Sequence, residues 1–407
     1  MSNAASNFGW RQLILAAFAP TALFSIGEGA IIPIIPVVAD DLGASLALAG
    51  AIAGLIMVGE LVGDIPSGWL VARVGERQAM IGAAMLSLVG LFLAMYSVNE
   101  AMLAAGIFLV GLATAVFALA RHAFMTSFVP IQYRARALST LGGVFRLGVF
   151  VGPLLSAGLL HLTGDTRSVF WIMVVGCLGA ALLLLFLPDP TATFGRKPRE
   201  GDEFVAREAQ GLFPTLWRYR GVLVKLGSGA ALIGAMRSSR SVILPLWAVS
   251  LGLGESTTAL IIGIAGAIDF GLFYTSGAIM DRFGRLWSAL PSMIGLGLGH
   301  LVLSVTHDIP AAVVWFITVA MFLSVANGIG SGILMTLGAD LADPADPAPF
   351  LGAWRFVGDA GNAAAPLLVS LITGLASISI AAGVMGVLGF LGAGIIARYL
   401  PRYSSRP

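Results

Sequence analysis

Long apolar runs separated by short polar breaks fill nearly the whole chain. A helix rises about 1.5 Å per residue, so roughly 20 apolar residues cross a hydrocarbon layer about 30 Å thick. The runs predict helices near 12–36, 46–71, 78–98, 101–127, 136–161 and 168–188, then near 221–250, 256–280, 286–306, 310–339, 350–374 and 376–398. They lack the period-two alternation of barrel strands. Backbone groups in lipid must bond internally, which leaves helices as the spanning structure. The segment Pro188 to Arg220 breaks the series with eleven charged residues and with Pro188, Pro190, Pro198 and Gly201. It reads as a linker in which Leu212, Phe213, Leu216 and Trp217 would form a short amphipathic surface helix. The expected fold is an all-α membrane protein of twelve transmembrane helices in two pseudo-symmetric six-helix bundles, spanning 1–188 and 221–407 and joined by a linker over 189–220.

Composition agrees. Of 407 residues, 58% are hydrophobic and 11% charged, with a mean hydropathy of +0.94; soluble domains carry about a quarter charged residues. The single cysteine, Cys177, excludes a disulfide framework and a multi-thiolate centre. Four histidines without ligand spacing point to no metal, and no cofactor is expected. No nucleophile–base or metal constellation suggests an enzyme, and no Gly-x-x-x-x-Gly-Lys-Ser/Thr suggests a nucleotide-driven pump. The run starting near Leu13 is too long for a signal-peptide core and reads as a retained first helix; Met1 to Ala4 carry no weight in the fold.

The net charge of +2 matters less than where the charges fall. With the amino terminus cytoplasmic, the inside positions hold Arg11, Arg73, Arg77, Arg134, Arg136, the linker cluster, Arg282, Arg285, Arg398, Arg402 and Arg406. The opposite loops hold Arg167 alone among bases, with Asp40, Asp41, Glu100, Asp165, Glu255 and Asp308. That bias predicts both termini in the cytoplasm.

A repeat runs through the chain. Gly277-Ala278-Ile279-Met280-Asp281-Arg282-Phe283-Gly284-Arg285 forms a polar hinge between two apolar runs, and a degenerate copy, Gly68 to Arg77, lies 209 residues earlier. Leu141-Gly142-Gly143 matches Leu351-Gly352-Ala353, each followed by an arginine and then by Gly152-Pro153-Leu154-Leu155 or Ala365-Pro366-Leu367-Leu368. Ile31-Ile32-Pro33 matches Ile243-Leu244-Pro245. These motifs resemble the loop signature and duplicated architecture of the major facilitator superfamily, over nearly the whole chain. The resemblance implies a transporter working by alternating access, with a small-molecule site between the halves near mid-membrane. It implies a conformational latch at Asp64, Gly68, Arg73, Gly75 and Arg77 and at Gly277, Asp281, Arg282, Gly284 and Arg285. The first copy departs from the signature: Ala72 and Glu76 replace its Asp and Arg, and Asp64 is the candidate substitute carboxylate. Gly148, Gly152 and Pro153 resemble a helix-packing signature of proton-coupled exporters, although Ser139 and Ser156 stand where glycines are usual; plain helix packing explains such spacing as readily.

Ionisable groups inside the spans narrow the function, because each is costly in lipid unless paired or hydrated. The acids are Glu28, Glu60, Asp64, Asp269 and Asp359; the bases are Arg121, Arg146, Arg237, Arg240 and Arg355. Arg355 and Asp359 share a helix face and read as a structural ion pair. Glu60 and Asp64 also share a face and suggest a hinge network. Glu28 and Arg240 each stand five residues before the matched proline, so Glu28 is either a proton carrier facing Arg240 or a fixed strut to Arg237 or Arg240. Asp269, without a local partner in its span, is the second proton-coupling candidate. Arg146, Arg237, Arg240, Trp247, Phe270 and Trp354 are the candidate cavity, with Trp315, Met321 and Phe322 as further apolar lining; Arg146 is alternatively an ion pair across the interface between the halves. The expectation is proton-coupled efflux of a small amphipathic or anionic solute or drug from a bacterial inner membrane, by a monomer whose partners are that solute, protons and the bilayer, with no nucleic acid. The alternative is proton-coupled import of a small metabolite.

Overall fold

A computed structural model describes residues 13–129, 131–186, 212–342 and 348–403. Arg11, Arg406 and the linker segment 189–211 lie outside them, as do the side chains of Arg134, Arg136 and Ser139. The chain crosses from face to face twelve times. Helix α1 comprises Ile14–Phe18, Ala19–Ile31 and Ile35–Asp41; α2 is Leu46–Val74, α3 Glu76–Met95, α4 Glu100–Phe128, α5 Ile131–Thr163 and α6 Phe170–Phe186. The short helix Leu212–Arg218 precedes α7, which comprises Arg220–Val222, Leu223–Gly227 and Ser228–Ser250. Then follow α8 (Glu255–Phe283), α9 (Leu286–Ser304), α10 (Ala312–Ile329 and Ile333–Leu341), α11 (Ala348–Leu375) and α12 (Ile378–Tyr403).

Eleven helices are long and apolar enough to cross a membrane by length and composition alone. The exception is α7, where Arg237, Arg240 and five serines lie between 228 and 250. A membrane-depth helix of that polarity must line something other than lipid.

The duplication is visible in the packing. In the first half α1 packs on α5 and α6, α2 on α4, and α3 on α4 and α6; in the second, α7 packs on α11 and α12, α8 on α10, and α9 on α10 and α12. Both halves open on a five-residue π-helical turn, Ile14–Phe18 and Leu223–Gly227, at the 209-residue offset of the hinge motif. Gly75 and Gly284 close α2 and α8 with φ of 85° and 93°, a backbone region that favours glycine. The hinge motif thus turns the chain identically twice, on what is called here the hinge face.

Glycines set the helix spacing where backbones nearly touch. A Cβ on Gly111 would collide with the Ile56 carbonyl across α4 and α2, and one on Gly361 with the Ala231 carbonyl across α11 and α7. Gly148 and Gly152 sit against Ser25, Ile26 and Ala30 of α1. The glycine face of that stretch therefore packs α5 inside its own bundle. Its other face, Val149, Phe150 and Leu154, meets Gly263 and Gly266 of α8.

Between the bundles the two most extensive interfaces are α2 with α11 and α5 with α8, and α7 makes smaller contacts with α2 and α1. Away from the hinge face they interlock: Gly50 meets Leu246 and Ser370, Gly54 meets Pro366, and Ser256 donates to the Ala157 carbonyl at 2.9 Å. Toward the hinge face the contacts thin to side-chain tips, with Phe273 and Tyr274 lying 3.7 and 3.5 Å from Cβ positions on Gly142 and Gly143.

Two repeat-matched features differ locally. Pro33 breaks α1, whereas Pro245 leaves α7 continuous. Helix α10 breaks at Gly330–Gly332, where Gly332 has φ 79°, while its counterpart α4 runs unbroken.

Candidate functional site

The site grows from α10's break. Glycines at 328, 330 and 332 weaken the helix, and its break at Gly330–Gly332 exposes backbone carbonyls near mid-span. Arg237 of α7 donates to the Gly330 carbonyl there. Asn327, one turn earlier, donates through Nδ2 to Asp269 Oδ2 of α8 at 2.7 Å. Arg240, one turn along α7, reaches the same oxygen at 3.4 Å and the Ser324 hydroxyl at 2.7 Å. From the other bundle, Arg146 of α5 reaches Asp269 Oδ1 at 3.2 Å and lies over the Phe273 ring at 4.9 Å.

Asp269, expected to have no local partner in its span, is therefore the hub of a cluster drawn from other helices. Sequence spacing could not find its partners, because they come from α5, α7 and α10. The site also contains Asn327 and Ser324, which sequence reasoning missed; a polar residue opening a glycine-rich run inside an apolar span was the available signal.

Three guanidiniums here face one carboxylate. Buried charge seeks compensation, and the imbalance makes the cluster a receptor for negative charge. The Nε atoms of Arg237 and Arg240 and the Oδ1 of Asn327 have no hydrogen-bond partner among the described residues.

Glu28 does not face Arg240. Among the described residues it faces Arg121 and Thr114 of α4 and Glu60 of α2, within its own bundle, while Arg240 is taken by Asp269 and Ser324. Repeat-equivalent positions share a place within each bundle and need not meet across the axis between them. Arg121 lies over the Phe145 ring at 5.1 Å. Glu60 is surrounded by Glu28, Asp359, Asp64 and Arg355, so it belongs to this interior group, and the expected hinge network does not include it. Among the described residues this second cluster sets four carboxylates, Glu28, Glu60, Asp64 and Asp359, against two guanidiniums, Arg121 and Arg355.

Arg355 bonds Asp359 at 3.3 Å along its own helix, as its spacing implied. It also crosses the bundle interface to Asp64 of α2 at 2.9 Å. The pair expected to be local is one arm of an inter-bundle bridge. Asp64, expected to restore the first hinge motif, is the α2 end of that bridge. Arg146 and Arg355 are themselves 209 residues apart. The two interfaces thus carry matched bridges, α5 to α8 and α11 to α2.

The hinge residues act mainly inside their bundles. Arg77 donates to the Leu184 and Leu185 carbonyls at the end of α6, at 2.6 and 2.9 Å, and Arg73 lies over Trp69. Arg285 bonds Asp340 at 2.8 Å, the Met280 carbonyl at 3.0 Å and Asp281 at 3.8 Å, and the Asp340 bond raises the pKa of its guanidinium. Arg282 lies over Phe283, and Gly277 faces open space.

Two of the expected cavity aromatics lie elsewhere. Trp247 is fully buried at the end of α7 away from the hinge face, edge-on to His307 at 5.0 Å. Trp354 donates to the Leu334 carbonyl at 2.8 Å and stacks on Phe350 inside the second bundle. Their bulk fills helix junctions, where a large ring buries most area. Phe270, next to Asp269, stacks on Phe150 across the bundle interface at 5.9 Å. Trp315 and Phe322 are each about 40% exposed, on the outer side of α10. A separate cavity of about 440 Å³ near the far face is lined by Leu46, Ser250, His307, Thr373 and neighbours, apart from both charge clusters.

Comparison with known proteins gives a coherent picture. The sequence model of the Major Facilitator Superfamily matches residues 17–366. The chain is 25% identical to a cis,cis-muconate transport protein of Acinetobacter baylyi over 350 residues, covering 84% of this chain and 83% of that one. It is 28% identical to a gallate transporter of Pseudomonas putida over 37% of this chain and 34% of that one. It is also 28% identical to a galactose-proton symporter of Escherichia coli over 44% of this chain and 38% of that one. Among solved structures, a D-xylose-proton symporter superposes with a TM-score of 0.75 at 15% identity, covering 97% of this chain and 99% of that one. The xylose transporter XylE from E. coli, in a partially occluded inward open conformation, gives 0.74 at 15% identity over 96% and 98%.

Proposed function

Because this chain belongs to the major facilitator superfamily, we propose that it is a proton-coupled symporter that carries a small organic anion into the cell. The observation that carries this reading is the division of buried charge into two clusters of opposite excess. The cluster around Asp269 has surplus guanidinium and suits a carboxylate, which arginine holds by two parallel hydrogen bonds. The cluster around Glu28 has surplus carboxylate and suits a proton, since like-charged acids close together cannot all ionise cheaply. Glu28 is its carrier: it is buried, and Arg121, Glu60 and Thr114 are the groups that face it. Matched arginine bridges place the two clusters on opposite interfaces, so filling either one alters a contact that holds the bundles together.

The muconate transport protein and the gallate transporter among the relatives support an anionic substrate, and the galactose-proton symporter supports symport with protons. Efflux by antiport rested on the Gly148–Pro153 stretch, whose glycines pack against α1; export draws no support from the relatives. In the proposed cycle the bundles over 1–188 and 221–407 rock about the two clusters while the linker over 189–220 joins them, in a monomer. The hinge face, carrying Arg73, Arg77, Arg282, Arg285 and Arg402, is cytoplasmic by its positive charge, and the interlocked far face is the closed one.

The test uses the purified protein in liposomes with an acidic exterior and labelled muconate and gallate as probes. Uphill uptake that collapses with a protonophore is expected. Glu28→Gln should abolish accumulation yet keep exchange of label across the membrane. Full accumulation by that variant would remove Glu28 from coupling, and outward-directed accumulation would reverse the proposed direction.

A further inference from the structure

The anion site already holds a carboxylate of its own. Asp269 divides its two oxygens between the bundles: Oδ2 is held by Arg240 and Asn327 of its own bundle, and Oδ1 by Arg146 of the other. Losing Arg146 would leave Asp269 with a guanidinium and an amide. Losing Asp269 would leave Arg146 without a carboxylate among the described residues. Side-chain exposure of 19% for Arg146, 13% for Arg240 and 9% for Asp269 shows that the bridge is not sealed off.

Aromatic rings surround this bridge. Phe273 lies under the Arg146 guanidinium and orients its plane. Phe150, one turn beyond Arg146, stacks nearly parallel on Phe270, with an interplanar angle of 22°. An ion pair and a ring pair thus cross the same interface side by side.

We infer that Asp269 is a built-in stand-in for the substrate's carboxylate, exchanged on Arg146 for an incoming carboxylate attached to a flat aromatic or conjugated body. The incoming group takes Oδ1's place on Arg146, and its planar body stacks on Phe270 and Phe150. Asp269 stays with Arg240 and Asn327. The α5–α8 bridge then runs through the substrate instead of through the protein alone, which makes the bundle interface respond to occupancy. A ligand moves this equilibrium only through contacts that differ between the two arrangements, and the Arg146 partner is that contact. The inference rests on the anion-site reading above and adds what the anion replaces and what shape it has.

Calorimetric titration of the purified full-length protein tests it, with benzoate, cyclohexanecarboxylate, methyl benzoate and galactose as probes. Benzoate should bind roughly three- to tenfold more tightly than cyclohexanecarboxylate, the span expected of one aromatic contact, and methyl benzoate should not bind. Phe270→Leu should erase that preference. Asp269→Asn should tighten benzoate about tenfold in the natural background but have no effect in Arg146→Gln, because coupled residues fail to add. Arg146→Gln, which leaves Asp269 two partners, guards against an Asp269→Asn protein that does not fold: it should weaken benzoate at least tenfold. Equal tightening by Asp269→Asn in both backgrounds, or unchanged benzoate binding in Arg146→Gln, would overturn the stand-in while leaving an anion site in place. Binding of galactose but of no carboxylate would instead defeat the anion-site reading itself.

Discussion

At the scale of single residues, the proposed function turns on which buried charges lack balance. Arg240 touches Asp269 and Ser324, and its stem is enclosed by α7, α8 and α10. Without Arg240, Asp269 keeps Arg146 and Asn327, so the loss is one charge-assisted contact at the anion site, about 1.5–3 kcal/mol. Arg240→Gln is therefore expected to lower uptake by about ten- to a hundredfold, and Arg240→Lys to recover little, since a lysine cannot reproduce the forked geometry. A liposome uptake assay on both variants checks this; near-normal uptake by Arg240→Lys would show that charge alone suffices. Asn327 supplies a neutral donor, so Asn327→Ala should leave the fold intact and raise the substrate concentration for half-maximal uptake several-fold. Of these residues the arginines were legible in the sequence as charges in apolar spans. Asn327 was not, because an uncharged amide in a glycine-rich run looks like loop chemistry until its helix is placed.

Among elements, α7 and α10 differ from the rest. Helix α7 falls below the apolarity of its eleven companions because it turns its arginines toward α8 and α10. Helix α10 breaks at Gly332, whose positive φ suits no side chain well. Gly332→Ala should cost about 1 kcal/mol or more and displace the Gly330 carbonyl from Arg237, so both melting temperature and uptake should fall. Gly361→Ala is a contrasting case. Its Cβ would meet the Ala231 carbonyl on α7, an overpacking cost of about 1–3 kcal/mol, which thermal melts should show as a clear drop. An unchanged melt for Gly361→Ala would mean that α7 and α11 can separate freely. The apolar runs announced all twelve helices and most of their ends. The α10 break escaped because the 310–339 run stays apolar on both sides of it.

For the whole molecule, the proposed motion is a rocking of the two bundles about the paired bridges, with the far face closed. Ala47 and Gly374 offer a direct check: a Cβ on Gly374 would lie 3.1 Å from that of Ala47, near the range a disulfide spans. Ala47→Cys with Gly374→Cys should cross-link on oxidation, stop uptake and recover with a reductant. Continued uptake by the oxidised protein would mean that this face need not open. Neither residue belongs to a charge cluster, so the reduced pair should transport normally.

The sequence by itself determined the number of crossings, the duplication, the distribution of basic residues between faces and the set of buried charges. These follow from local pattern: run length, repeat offset, and the cost of a charge in lipid. Only the tertiary structure decided which charges meet. Glu28 looked toward Arg240 and lies by Arg121, Asp269 looked solitary and joins four helices, and Asp64 and Arg355 are 291 residues apart yet bonded. Pairing across bundles depends on how helices rotate and pack against one another. That geometry is set by glycine-scale contacts between distant segments, which no single stretch of the chain encodes.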